Sequence, residues 1–129
     1  MNQTDKSNKK VLIVDDSPWV RKMLKGLLDN WGHQVIEAQD GEQALEKLQI
    51  EAFDLLICDV VMPNKTGWEV LNEVKRNPKT QDIPVIMLTS MDKDADMIQG
   101  YALGATYYMT KPFTKAQLLY GLQLMFEET

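Results

Sequence analysis

Asp59 stands between two apolar runs, with Leu55, Leu56, Ile57 and Cys58 before it and Val60, Val61, Met62 and Pro63 after it. A carboxylate hemmed in this way is costly to ionise unless a cation or a hydrogen-bond donor meets it. Other polar residues also close apolar runs: Asp15 and Asp16 follow "VLIV", Thr89 ends "PVIMLT", and Lys111 follows "TYYMT". If those runs are parallel strands, all of these groups gather at the carboxyl edge of one sheet, where open α/β sheets hold their ligands. Carboxylates brought together there repel one another, and each titrates upward unless a cation is shared. Oxygen donors favour magnesium, with manganese or calcium as substitutes. Such an ion, a carboxylate nucleophile at Asp59, a hydroxyl at Thr89 and an ammonium at Lys111 make a complete set for phosphoryl transfer to aspartate. That reaction consists mostly of positioning and charge stabilisation, with Lys111 and Thr89 meeting the phosphoryl oxygens.

The elements needed to position these groups are legible from periodicity and caps. "VLIV", "QVIEA", "DLLIC", "PVIMLT" and "TYYMT" read as strands. Between the first two, Ser17 caps a helix with Pro18 at its first position, and Val20, Met23, Leu24, Leu27, Leu28 and Trp31 recur at helical spacing up to Gly32. Asp40 with Gln43, Thr66 with Glu69 and Thr114 with Gln117 have capping-box spacing and open three more helices. A further helix is expected around Met97, Ile98 and Tyr101. Five strands alternating with five helices predict a doubly wound α/β domain: a five-stranded parallel sheet with right-handed crossovers and helices on both faces. Strands covered on both sides should be apolar throughout, as "VLIV", "LLIC" and "VIML" are.

Composition narrows the chemistry further. The chain of 129 residues suits one domain, read as a flexible polar tail over residues 1–8 and a folded unit over 9–129. A single cysteine, Cys58, and a single histidine, His33, leave no internal disulfide and no Cys/His zinc site. The net charge of −5 and the lack of a basic stripe argue against direct nucleic-acid binding. No apolar run approaches the roughly 18 residues of a membrane span. The start "MNQTDKSNKK" has no signal-peptide core, so a cytoplasmic location is expected.

"VLIVDDSPWVRKML", "DLLICDVVMPNKTG", "PVIMLTS" and "YYMTKPF" together resemble the CheY-like receiver domains of bacterial two-component response regulators, from about residue 9 onward. The resemblance implies a flavodoxin-like strand order 2-1-3-4-5. It implies Asp59 as the phosphorylated aspartate, Asp16 as a direct magnesium ligand, Asp15 as a ligand through water, and the Val61 backbone carbonyl as the remaining protein ligand. Thr89 and Lys111 match the phosphate contacts, and Tyr108 matches the aromatic that turns inward when the Thr hydroxyl engages the phosphate. The Lys111–Pro112 bond is expected to be cis, which an X–Pro bond tolerates cheaply. The implied partners are a sensor histidine kinase or phosphotransfer protein, and an output domain or target at the face of the fourth helix, fifth strand and fifth helix. Such a domain is a signalling module that catalyses only its own phosphotransfer and a slow self-dephosphorylation.

Some residues depart from the family's common pattern. Thr66 stands where Asp or Asn is frequent, a change its capping box accounts for, and Ser90 is larger than the usual alanine beside Thr89. Thr106 and Tyr107 replace a frequently acidic stretch, so two tyrosines fall on opposite faces of the last strand. Val61 and Met91 occupy positions that tune hydrolysis in this family, and both are apolar, which predicts a long-lived acyl phosphate. Cys58 reads as a small core residue, His33 as a surface residue in a turn, and Trp19 as a rim aromatic whose fluorescence can report metal binding.

Rival readings fit less well. A haloacid-dehalogenase-type phosphatase needs an aspartate two residues after the nucleophile, where Val61 stands. A flavodoxin wants a Ser/Thr-rich phosphate loop after the first strand, where "DDSPWVR" places two carboxylates. A degenerate receiver serving only as an interaction module would not need all five site residues.

Overall fold

Five apolar runs pair as five parallel strands in the computed structural model, which describes residues 8–90 and 104–126. In chain order the elements are β1 (Lys10–Val14), α1 (Pro18–Asn30), β2 (Gln34–Ala38), α2 (Gly41–Ile50), β3 (Leu55–Asp59), α3 (Gly67–Arg76), β4 (Val85–Thr89), β5 (Tyr107–Thr110) and α4 (Lys115–Phe126). The sheet order is β2-β1-β3-β4-β5, the order implied by the resemblance. Four helices lie among the described residues. The helix expected around Met97, Ile98 and Tyr101 falls outside them, and α4 is the helix expected last.

Strand alternation sorts the core into two layers. Val11, Ile13, Leu55, Ile57, Ile86, Leu88 and Met109 pack with Leu24 and Leu28 of α1 and Leu118 and Leu122 of α4. On the other face, Leu12, Val14, Leu56, Cys58, Val85, Met87 and Tyr108 pack with Ala44 and Leu48 of α2 and Val70, Leu71 and Val74 of α3. The central strands β3 and β4 are buried at every position, which is why they carry no polar residue before their last. The two tyrosines part as alternation requires: Tyr108 stacks on Trp68, while Tyr107 meets Tyr120 edge-on across Gly121.

Helix ends follow the caps read from the sequence. Thr66 and Glu69 form a reciprocal capping box, as do Thr114 and Gln117. At Asp40 the carboxylate accepts from Gln43 N–H, but the Gln43 side chain accepts from Gln39 N–H, one residue earlier than a capping box requires. Helix α1 ends with Gly32 at φ 91°, Gly32 N–H donating to Asp29 and His33 N–H to Leu28. This two-bond closure turns the next residue back onto the helix. It corrects the expectation for His33, which is only 8% exposed instead of lying on the surface. Its Nδ1 accepts from Lys9 N–H at 3.2 Å.

Candidate functional site

Beta-strand register delivers the site. Parallel pairing sets Val14 beside Cys58 and Asp59 beside Leu88, so β1, β3 and β4 end at one level. After β1 the chain leaves toward α1 on one face, and after β3 toward α3 on the other, so a crevice opens between their carboxyl ends. Asp15 and Asp59 are buried there, at 0% and 4% exposure, and Asp16 is exposed. One carboxylate oxygen from each lies within 4.8 Å of the other two. The donor set is oxygen only, which fits a hard divalent cation such as magnesium.

Lys111 joins the group across the sheet. Its backbone N–H donates to the Thr89 carbonyl at 2.6 Å, fixing the chain just beyond β5. Its ammonium lies 3.0 Å from Asp15 Oδ2 and 3.4 Å from Asp59 Oδ1, bridging two carboxylates. Burial works to lower the Lys111 pKa, but the hydrogen bond to Asp15 and the charges on Asp59 and Asp15 raise it on balance, so it stays charged. The Lys111–Pro112 bond is cis. Thr89 is fully buried at the end of β4.

Asp59 is pushed up to about 6. Burial is the largest cause and the Asp15 charge the second, while Lys111 and the Val61 N–H, which donates to the carboxylate, pull it back. Both causes raised by the sequence, the apolar surroundings and the repulsion among carboxylates, act at Asp59, and desolvation is the larger. A cation placed among these oxygens would reverse both effects. Cys58, next to it, is fully buried with its thiol pushed up, chiefly by burial, and is an inert core residue as expected.

The loop from β3 to α3 is shaped by a close approach. Gly67 N–H donates to the Val60 carbonyl at 2.8 Å, and a Cβ at Gly67 would lie 2.1 Å from the Asp59 carbonyl oxygen. Only glycine lets α3 start so near Asp59. Val61 is 57% exposed at the mouth and Trp19 is 76% exposed at the start of α1. Met91 lies outside the described residues, and Ser90 is exposed. Sequence reading missed Arg21, whose guanidinium donates to the Asp15 carbonyl at 2.6 Å. The only signal for it was an arginine five residues after Asp16, near the start of the helix that follows the acidic pair.

Comparison with known proteins agrees with this fold. Residues 11–123 match the family model described as the response regulator receiver domain. The chain is 40% identical over 111 residues to the alkaline phosphatase synthesis transcriptional regulatory protein PhoP of Bacillus subtilis, covering 86% of this chain and 45% of that protein. It is 43% identical over 110 residues to the transcriptional regulatory protein CpxR of Escherichia coli K12, covering 85% of this chain and 46% of that one. It thus spans about half the length of these curated relatives. The solved chemotaxis protein CheY4 of Vibrio cholerae superposes with a TM-score of 0.87 at 39% identity, over 92% of this chain and 99% of that chain.

Proposed function

This chain belongs to the response regulator receiver domain family, and on that premise we propose that Asp59 accepts a phosphoryl group from a histidine kinase, a phosphotransfer protein or a small phosphodonor. The observation that carries this reading is the meeting of Asp15, Asp16 and Asp59 oxygens within 4.8 Å under the Lys111 ammonium.

A magnesium ion held by Asp15, Asp16, Asp59 and the Val61 carbonyl would supply charge neutralisation at the phosphoryl oxygens. A lone pair of the Asp59 carboxylate forms the new O–P bond. The P–N bond to a donor histidine, or the P–O bond to a small donor, breaks, and the leaving group keeps the electron pair. Lys111 neutralises one phosphoryl oxygen and the Thr89 hydroxyl donates to another. Only ionised Asp59 is nucleophilic, so acceptance in weak metal rises with pH through about 6.

Engagement of Thr89 and the buried position of Tyr108 would select one of two arrangements of the output face beside β5 and α4, where a target or output domain docks. Apolar Val61 at the mouth cannot orient a water, which supports slow self-dephosphorylation. Among the described residues no helix is long and apolar enough to cross a membrane.

Intact-protein mass spectrometry after incubation with magnesium and acetyl phosphate, run beside Asp59→Asn, tests the proposal. Gain of one phosphoryl group by the parent and none by the variant is expected. No gain in either, with magnesium bound, would overturn it in favour of an interaction-only module.

A further inference from the structure

The acidic loop after β1 is pinned at more points than the Asp15 carboxylate alone requires. Asp15 N–H donates to the Ala38 carbonyl at 3.2 Å. Its Oδ1 accepts from Ser17 N–H at 2.9 Å and its Oδ2 from Lys111 Nζ at 3.0 Å. These contacts hold the residue, but not the peptide that follows it. That peptide is held by Arg21, whose Nη1 donates to the Asp15 carbonyl oxygen at 2.6 Å. The same guanidinium directs Nε to Glu37 Oε1 of β2 at 3.0 Å, and the Arg21 side chain is only 15% exposed.

We propose that Arg21, anchored by Glu37, is a positioning residue that sets the Asp15–Asp16 peptide plane and so aims the exposed Asp16 carboxylate into the cation site. This inference rests on the metal-dependent reading above. A peptide unit is planar, so fixing its carbonyl oxygen fixes the direction in which the next Cα and its side chain leave. Asp16 is the exposed member of the three carboxylates, and its aim depends on that backbone. Arginine suits the task because its rigid fork serves two acceptors on different elements at once, which the single ammonium of lysine does not reproduce.

Charge and geometry predict opposite signs here. A guanidinium near a cation site repels the cation, so its removal on electrostatic grounds alone tightens magnesium binding. Loss of positioning weakens it. Calorimetric magnesium titration of the parent, Arg21→Met and Arg21→Lys, with metal-free thermal unfolding alongside, separates the two. Arg21→Met, which keeps an apolar stem, is expected to bind magnesium about tenfold more weakly, with Arg21→Lys intermediate. Equal or tighter binding by Arg21→Met overturns the inference, as does a lowered unfolding temperature with unchanged affinity. If Arg21→Met does not fold, Arg21→Lys decides, since its charge equals the parent's; affinity equal to the parent's then overturns the inference. A parent chain that binds no magnesium removes the metal-dependent reading itself, whereas binding that the variants leave unchanged removes only the role of Arg21.

Discussion

The nucleophile's role proposed for Asp59 requires ionisation, whereas its position is buried, and the conflict is measurable. Its pKa is raised, so the folded chain keeps a proton that the unfolded chain has released. The stability tied to that proton is complete below the unfolded value of 3.8 and is lost as pH rises through about 6. In metal-free buffer, Asp59→Asn should therefore be more stable than the parent at pH 7.5, by an amount on the order of 1–3 kcal/mol, with the gap closing below about pH 4. Chemical denaturation at both pH values checks this, and added magnesium should stabilise the parent more than the variant. At the mouth, Val61→Asn introduces an amide able to orient a water and should shorten the phosphoryl lifetime severalfold. A lifetime unchanged by phosphorylated-protein mass spectrometry over time would show that the apolar side chain is not what protects the acyl phosphate.

At the scale of elements, the β3–α3 connection carries the most geometric demand. Gly67 begins α3, yet its backbone lies against Asp59 and Val60 so closely that a Cβ would meet backbone atoms at 2.1 and 2.8 Å. Backbone cannot yield as a flexible side-chain end does, so Gly67→Ala must shift the start of the helix or the end of the strand. A loss of about 2 kcal/mol or more in stability is expected, together with slower acceptance from acetyl phosphate. Restoring stability with a general osmolyte should leave the slower acceptance in place, because the displaced group is the strand end that carries Asp59, the proposed acceptor. The reciprocal cap of Thr66 and Glu69 holds the same helix start from its solvent side.

Across the whole molecule, a small polar cluster fastens the edge opposite the site. Lys9 N–H donates to His33 Nδ1, the His33 ring lies 6.0 Å from that of Phe126, and the Lys9 ammonium sits 5.2 Å from the Phe126 centroid. The start of β1, the α1–β2 turn and the end of α4 are thereby joined. Neutral His33 is required as the acceptor, and its pKa is lowered, first by burial and then by the Lys9 charge. Its contribution is present above the unfolded value of 6.5 and is lost as pH falls through the lower folded value. His33→Gln keeps an acceptor without titrating. Between pH 7.5 and 5 the parent should lose more stability than this variant by thermal unfolding, and equal losses would remove His33 from the acid response.

Local physics made much of this protein legible from residues alone. Strand and helix identities came from periodicity and caps that act within a few positions, and β1, β3, β4 and β5 begin or end within a residue or so of the apolar runs. Alternation of strand and helix then required Asp15, Asp16, Asp59, Thr89 and Lys111 to share one edge. What only the tertiary structure decided are relations between distant positions. Lys111 bridges Asp15 across a separation of 96 residues, and Asp54 beside β3 accepts from Lys10 across 44. Desolvation outweighing repulsion at Asp59, the inward turn of His33, the close approach of Gly67 and the hold of Arg21 on the Asp15 carbonyl belong to the same class. Each depends on packing and register between elements, and neither periodicity nor composition encodes which side chain a given backbone oxygen will meet.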